Sequence, residues 1–218
     1  MTHRLAQLTL SLFATPRLDF ADFHGATNQV VSHALAQWAE QRTHWCIGLW
    51  GGAGVGKSHL LQAAIRHAHQ RGLVSMYVPL KEVLRFNPSM LENLERIDAI
   101  AIDDLDLAAG DKGWETALFA LYNRCVAAGT QLLYSANNPP QHLPIALADL
   151  RSRLAAALIY QLVQSDDREK QEILAALARS RGIDLGEPVC AFLLRRLPRT
   201  LPALVAALEQ LDAASLRA

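Results

Sequence analysis

The sequence predicts an α/β fold: a three-layer phosphate-binding domain on a five-stranded parallel sheet, followed by a small three-helix domain. Three observations predict it. The stretch Gly51-Gly52-Ala53-Gly54-Val55-Gly56-Lys57-Ser58 follows the apolar run 45–50 and opens a helical pattern of Leu60, Leu61, Ala64, Ile65 and Ala68. Strand, glycine loop and helix in that order are what a phosphate cradle requires. Strand-like apolar runs then alternate with helical patterns as far as Leu162, and strands joined by helical crossovers pair in parallel. Beyond Ser165 the strand patterns stop and amphipathic helices follow.

The cradle carries its own chemistry. Its glycines let the backbone curl so that several N–H groups converge on an anion, and the helix start adds its positive dipole end. Lys57 is placed to reach the outer phosphates and the Ser58 hydroxyl to ligate Mg²⁺. A nucleoside triphosphate or diphosphate is the expected ligand.

Bulk properties narrow the classes. The 218 residues suit one α/β domain with an appendage, and 51% of them are hydrophobic, so the chain is globular. The 21 basic and 21 acidic residues cancel, which argues against a surface dedicated to nucleic acid, although a local patch fits within a neutral sum. Cys46, Cys125 and Cys190 match no metal spacing and each falls in an apolar pattern, as buried thiols in a reducing cytoplasm do. No apolar run reaches transmembrane length, and no repeat or low-complexity tract is seen.

In chain order, residues 1–17 form a tail, 18–164 the nucleotide-binding domain and 165–218 the helical lid. Arg4 ahead of an apolar-looking segment imitates a secretory signal, but Gln7-Leu8-Thr9-Leu10-Ser11-Leu12-Phe13 alternates polar and apolar residues and weakens that reading. Two uses remain for the tail: an edge strand, or a linear motif whose leucines and Phe13 plug a partner's pocket. Phe20 and Phe23 precede a helix over Asn28–Gln41; core packing suits them, and so does contact with a base. A second strand covers Val74–Val78, closed by Pro79, with a short helix from about Lys81. The run Ile97–Asp104 ends in two carboxylates. At the carboxyl end of a buried strand next to the P-loop, Asp103 is placed to hold Mg²⁺ through water and Asp104 to polarise an attacking water. Such a pair also caps turns. A helix carrying Trp114, Leu118, Leu121 and Cys125 leads to a strand at Gln131–Ser135 and then Asn137, whose amide either orients water against a terminal phosphate or serves the turn. The segment Leu147–Leu154 holds Arg151 and Arg153, and Leu158–Leu162 is the fifth strand. The lid helices are expected at about 166–181, 187–197 and 201–211, punctuated by Gly182 and Pro198. A small helical lid behind a P-loop domain is the arrangement of AAA+ proteins.

Beyond that general pattern, Ile102-Asp103-Asp104, the stretch from Ala109-Gly110-Asp111 to Asn123-Arg124, and Asp149-Leu150-Arg151-Ser152-Arg153-Leu154 resemble the DnaA-like AAA+ family of bacterial replication initiators. The resemblance runs over roughly residues 4–214 and is closer to the short, Hda-type regulatory branch. Its most discriminating feature is Ala6 to Phe13, which looks like that branch's sliding-clamp motif. The resemblance implies a protein that binds ADP or ATP with Mg²⁺, contacts the DNA polymerase sliding clamp (β) and the DnaA initiator, and prevents a second initiation by promoting hydrolysis of initiator-bound ATP. It implies clamp contacts at Gln7, Leu8, Leu10, Leu12 and Phe13, Walker B acids at Asp103 and Asp104, a first sensor at Asn137 and an arginine finger at Arg153. A surface salt bridge is the plain alternative for Arg153. The initiator's helix-turn-helix domain has no counterpart before Ala218, so sequence-specific DNA binding is not expected; a homodimer is possible.

One departure matters. The family's second sensor, an arginine on the last lid helix, falls at Pro202, which a first helical turn tolerates but which supplies no cation. Arg195, Arg196 and Arg199 are candidate substitutes. The expectation is a nucleotide binder with slow or negligible turnover of its own that activates another ATPase. The competing reading is a self-sufficient AAA+ ATPase for remodelling or helicase loading, kept open by the intact Walker sequences.

Overall fold

The computed structural model describes residues 18–41, 44–198 and 200–215. The expected clamp motif at Gln7–Phe13 and the lid residue Arg199 lie outside them. Among the described residues, five strands form one parallel sheet: β1 (Cys46–Trp50), β2 (Ser75–Pro79), β3 (Ala99–Asp103), β4 (Gln131–Ala136) and β5 (Leu158–Gln161). Each falls where the apolar runs predict. Strands β3 and β4 are buried along their whole length, as central strands covered on both faces must be.

The spatial order is β2-β3-β4-β1-β5, and it corrects one expectation. The strand ending in Asp103 is not next to the P-loop strand: β4 pairs with both β1 and β3 and separates them. Local apolar patterning marks strands but carries no information about which two become neighbours. The consequence reaches the P-loop, because the residue after β4, Asn137, links Lys57 to Asp106, just beyond β3.

Helices cover both faces. On one, α1 (Gln29–Gln41) and α2 (Lys57–Gln70) bury Leu35, Trp38, Leu60, Leu61 and Ala64 against Ile47, Leu49, Ala101 and Leu133. On the other, α3 (Leu80–Val83), α4 (Lys112–Ala128) and α5 (Ala148–Ala155) enclose Ile100, Ile102, Leu132 and Tyr134. Helix α4 is capped at its start by Asp111, whose carboxylate accepts from the Gly113 and Trp114 amides, and ends at Gly129 with φ 74°. Cys46, Cys125 and Cys190 are buried free thiols, and burial raises the pKa of each.

The lid consists of α6 (Asp167–Ser180), α7 (Glu187–Arg196) and α8 (Leu201–Ser215), closed round a small core of Leu174, Ala178, Cys190, Leu194, Leu204 and Leu208. The segment before α1 holds both the lid and the connector that leads into it. Asn28 exchanges two side-chain hydrogen bonds with the Val163 backbone at 2.9 and 3.0 Å, and Glu169 accepts from the Thr27 amide at 2.7 Å. No described helix is long and apolar enough to cross a membrane.

Candidate nucleotide-binding site

Between the carboxyl ends of the strands and the lid lies a cavity of about 910 Å³, large enough for a nucleotide. Ala53, Gly54, Val55, Gly56, Lys57 and Ser58 form its floor. The loop needs glycine where it is approached most closely. Gly54 has φ 77°, and a Cβ there would stand 3.0 Å from Pro202 Cδ of the lid; Gly56 has φ 100°, and a Cβ would stand 2.7 Å from Phe23 Cε2. Lid and leading segment thus close on the loop from two sides. Pro202 sits against the cradle at the position expected of a sensor, and it brings no charge. Phe23 packs against the core, meets the His59 ring edge-on at 5.3 Å and lines the cavity.

Lys57 is buried, and its ammonium donates to Gly51 O at 2.6 Å, Gly52 O at 3.0 Å and Asn137 Oδ1 at 3.1 Å. Burial lowers its pKa, opposed by the fields of Asp104, Asp103 and Asp106. Asp103 ends β3 almost fully buried and accepts hydrogen bonds from Tyr77 Oη at 2.6 Å and from Ser135 Oγ. Tyr77 is a partner that strand patterning alone does not reveal; burial first and Asp103 second push its pKa up. Asp104 is one of two non-glycine residues with positive φ among those described, at 55°, and its amide donates to Ser135 Oγ at 2.9 Å. That turn aims it into the cavity, where burial, then Asp103 and Asp106, raise its carboxyl pKa against Lys57 and Lys81.

The donor set fits magnesium. The Ser58 hydroxyl and the two carboxylates are hard oxygen ligands, and the mutual repulsion felt at Asp104 is what a divalent cation relieves. Among the described residues no three His, Cys, Asp or Glu gather as a metal cage, so most of such an ion's shell would come from water and phosphate.

Other expected residues are distributed differently. Asn137 lines the cavity, while Arg153 is exposed on α5 and stands outside it, its guanidinium 5.9 Å from the Tyr122 ring centre. Arg195 and Arg196 do not line the cavity, and Arg196 lies over Phe192 instead. Among the described residues the lid cation that does line it is Arg181, 3.7 Å from Glu209; Arg181 sits at the end of α6 beside the helix-breaking Gly182, where helical periodicity gives no sign of a site. Two more were missed. Glu115 is buried and accepts from Gly110, Ala146 and Leu147 amides at 2.7, 3.0 and 2.7 Å, tying α4 to the start of α5. Asp106 accepts from Asn137 Nδ2 at 2.7 Å and from its amide at 3.3 Å.

Comparison with known proteins agrees with this geometry. Residues 15–161 match the bacterial DnaA ATPase domain, and residues 167–218 match the Hda lid domain. Domain III of the Thermotoga maritima replication initiation protein DnaA is similar at 25% identity and TM-score 0.79, over 93% of this chain and 90% of that one. AMPPCP-bound DnaA from Aquifex aeolicus is similar in fold at 20% identity and TM-score 0.78, over 92% of this chain. A replication initiator DnaA bound to AMPPCP and single-stranded DNA gives the same identity and TM-score. This chain spans 66% of the length of each of those two. The first match alone covers well over half of the chain, and the second accounts for the lid: the chain belongs to the bacterial DnaA ATPase domain family of AAA+ proteins and carries an Hda-type lid.

Proposed function

We propose that this chain is a negative regulator of replication initiation. It binds the sliding clamp through Gln7, Leu8, Leu10, Leu12 and Phe13, holds ADP or ATP in its own cradle, and lends Arg153 to an ATP-bound DnaA initiator. The observation that carries the reading is the separation of Arg153 from the cavity: an exposed arginine outside its own phosphate site is free to enter a neighbour's.

The chemistry follows from charge. In the initiator's transition state, negative charge spreads over the transferring phosphoryl oxygens, and an arginine inserted from outside neutralises it, worth about 10³ to 10⁵ in rate in well-studied systems. Tyr122 supports this use by fixing the base of the arginine, its hydroxyl donating to Arg153 O at 3.3 Å. In this chain's own site the cradle amides and Lys57 grip the phosphates, and Ser58 and Asp103 would hold Mg²⁺, which supplies charge neutralisation when bound. Asp104 and Asn137 line the same cavity, but Pro202 contributes no cation there. We infer retention of ADP and slow or negligible intrinsic turnover, with a cytoplasmic location beside the replication machinery.

Arg153→Ala tests the assignment. Initiator ATP hydrolysis on clamp-loaded DNA should fall by a factor of 10² or more, while nucleotide binding by the variant stays unchanged. A second reading, a self-sufficient ATPase, rests on Asp104 and Asn137 lining the same cavity; it requires multimeric turnover by this chain alone, lost with Arg153. A Gln7→Ala, Leu8→Ala double variant that still binds immobilised clamp would remove the tether from the account.

A further inference from the structure

The Asn137 amide can sit only one way round. Asp106 is a carboxylate and only accepts, so the atom 2.7 Å from its Oδ2 is the Asn137 amino group. Lys57 is an ammonium and only donates, so the atom 3.1 Å from its Nζ is the Asn137 oxygen. Asp106 also accepts from the Asn137 backbone amide, so it grips both the main chain and the side chain. The chain Asp106, Asn137, Lys57 therefore presents a lone-pair oxygen, not a donor, to the place where Lys57 would meet an outer phosphate.

We propose that Asp106 is a positioning residue: by holding the Asn137 amide oxygen toward Lys57, it makes the site discriminate against a terminal phosphoryl group and in favour of a nucleoside diphosphate. To greet a γ-phosphate with its donor, Asn137 must turn its amide over. The turn breaks the hydrogen bond to Asp106 and leaves two oxygens facing each other. A diphosphate, which ends one phosphoryl group short, makes no such demand. This inference rests on the cradle binding nucleotide, and it assigns the discrimination to the strand side of the cavity in addition to the missing lid cation at Pro202.

The test is a double-mutant cycle on the full chain, read by calorimetric titration with Mg·ADP and Mg·AMPPCP. Asp106→Ala frees the amide to rotate and should lower the preference for ADP over AMPPCP about three- to tenfold, the range of one hydrogen bond at a partly exposed site. The same substitution in an Asn137→Ala background should change the ratio by less than about twofold, because the residue through which it acts is gone. An equal change in both backgrounds would mean that the Asp106 charge repels phosphate directly and would overturn the proposal; no change in either would overturn it too. If Asp106→Ala does not fold, Asp106→Asn carries the same cycle, with a smaller change expected because the neutral amide oxygen still accepts. Failure of the unsubstituted chain to bind either nucleotide would refute the nucleotide-site reading itself, an outcome distinct from an unchanged ratio.

Discussion

The hydroxyl of Tyr134, on the buried strand β4, donates to the carbonyl of Leu154 at 2.7 Å, one residue beyond Arg153. With the Tyr122 bond to Arg153 O, it fastens the end of α5 to the sheet and to α4, so the exposed guanidinium projects from a held backbone. Tyr134→Phe should cost about 1 kcal/mol, the net worth of one hydrogen bond, since the Leu154 carbonyl also accepts from Ala157 N. Urea unfolding measures the cost. Initiator hydrolysis should fall far less than in Arg153→Ala.

The same tyrosine ring explains a glycine inside a strand. A Cβ at Gly48 would lie 2.3 Å from Tyr134 Cζ, so the ring crosses β1 where only glycine leaves room. Gly48→Ala should destabilise the domain by about 1–3 kcal/mol through overpacking. A smaller side chain at Tyr134 in the double variant should recover part of that, and thermal melting of the four proteins gives the coupling.

Glu115 should make stability depend on acid. Burial pushes its carboxyl pKa up, but three backbone amides outweigh that and leave it below the ordinary value. A depressed folded pKa contributes stability that is present above the unfolded value of about 4.3 and is lost as pH falls through the folded one. Glu115→Gln should therefore cost about 1–3 kcal/mol at pH 7, and its difference from the unsubstituted chain should shrink below about pH 4. Denaturant midpoints across that range check both signs.

Pro202→Arg asks what the lid lacks. The residue stands against Gly54 of the cradle, so an arginine there brings a guanidinium to the phosphate end of the cavity. Affinity for Mg·AMPPCP relative to Mg·ADP should rise about tenfold, in keeping with a charge-assisted hydrogen bond. Competition titration reads the ratio; an unchanged value would mean that the lid does not reach the terminal phosphate.

Much was legible in the chain because it is local. The glycine loop, the apolar β3 run ending in Asp103 and Asp104, and the helical periodicity of the lid depend on residues within a few positions of one another. Asp106 and Glu115 were not legible, since each acts on a segment more than thirty residues away, Asn137 and Ala146–Leu147 respectively, and no spacing rule links them.

Sequence by itself therefore determined the phosphate cradle and the succession of strands and helices, because backbone freedom at glycine and the periodicity of apolar side chains are short-range properties, and its acidic and arginine motifs carried the resemblance to the DnaA-like family that the family match bears out. Tertiary structure alone decided that β4 lies between β1 and β3, and with it that Asn137 joins Lys57 to Asp106, that Pro202 stands against Gly54, and that Arg153 stands outside its own cavity. Which strands become neighbours is settled by burying two sheet faces at once, and that is a property of the whole assembled core.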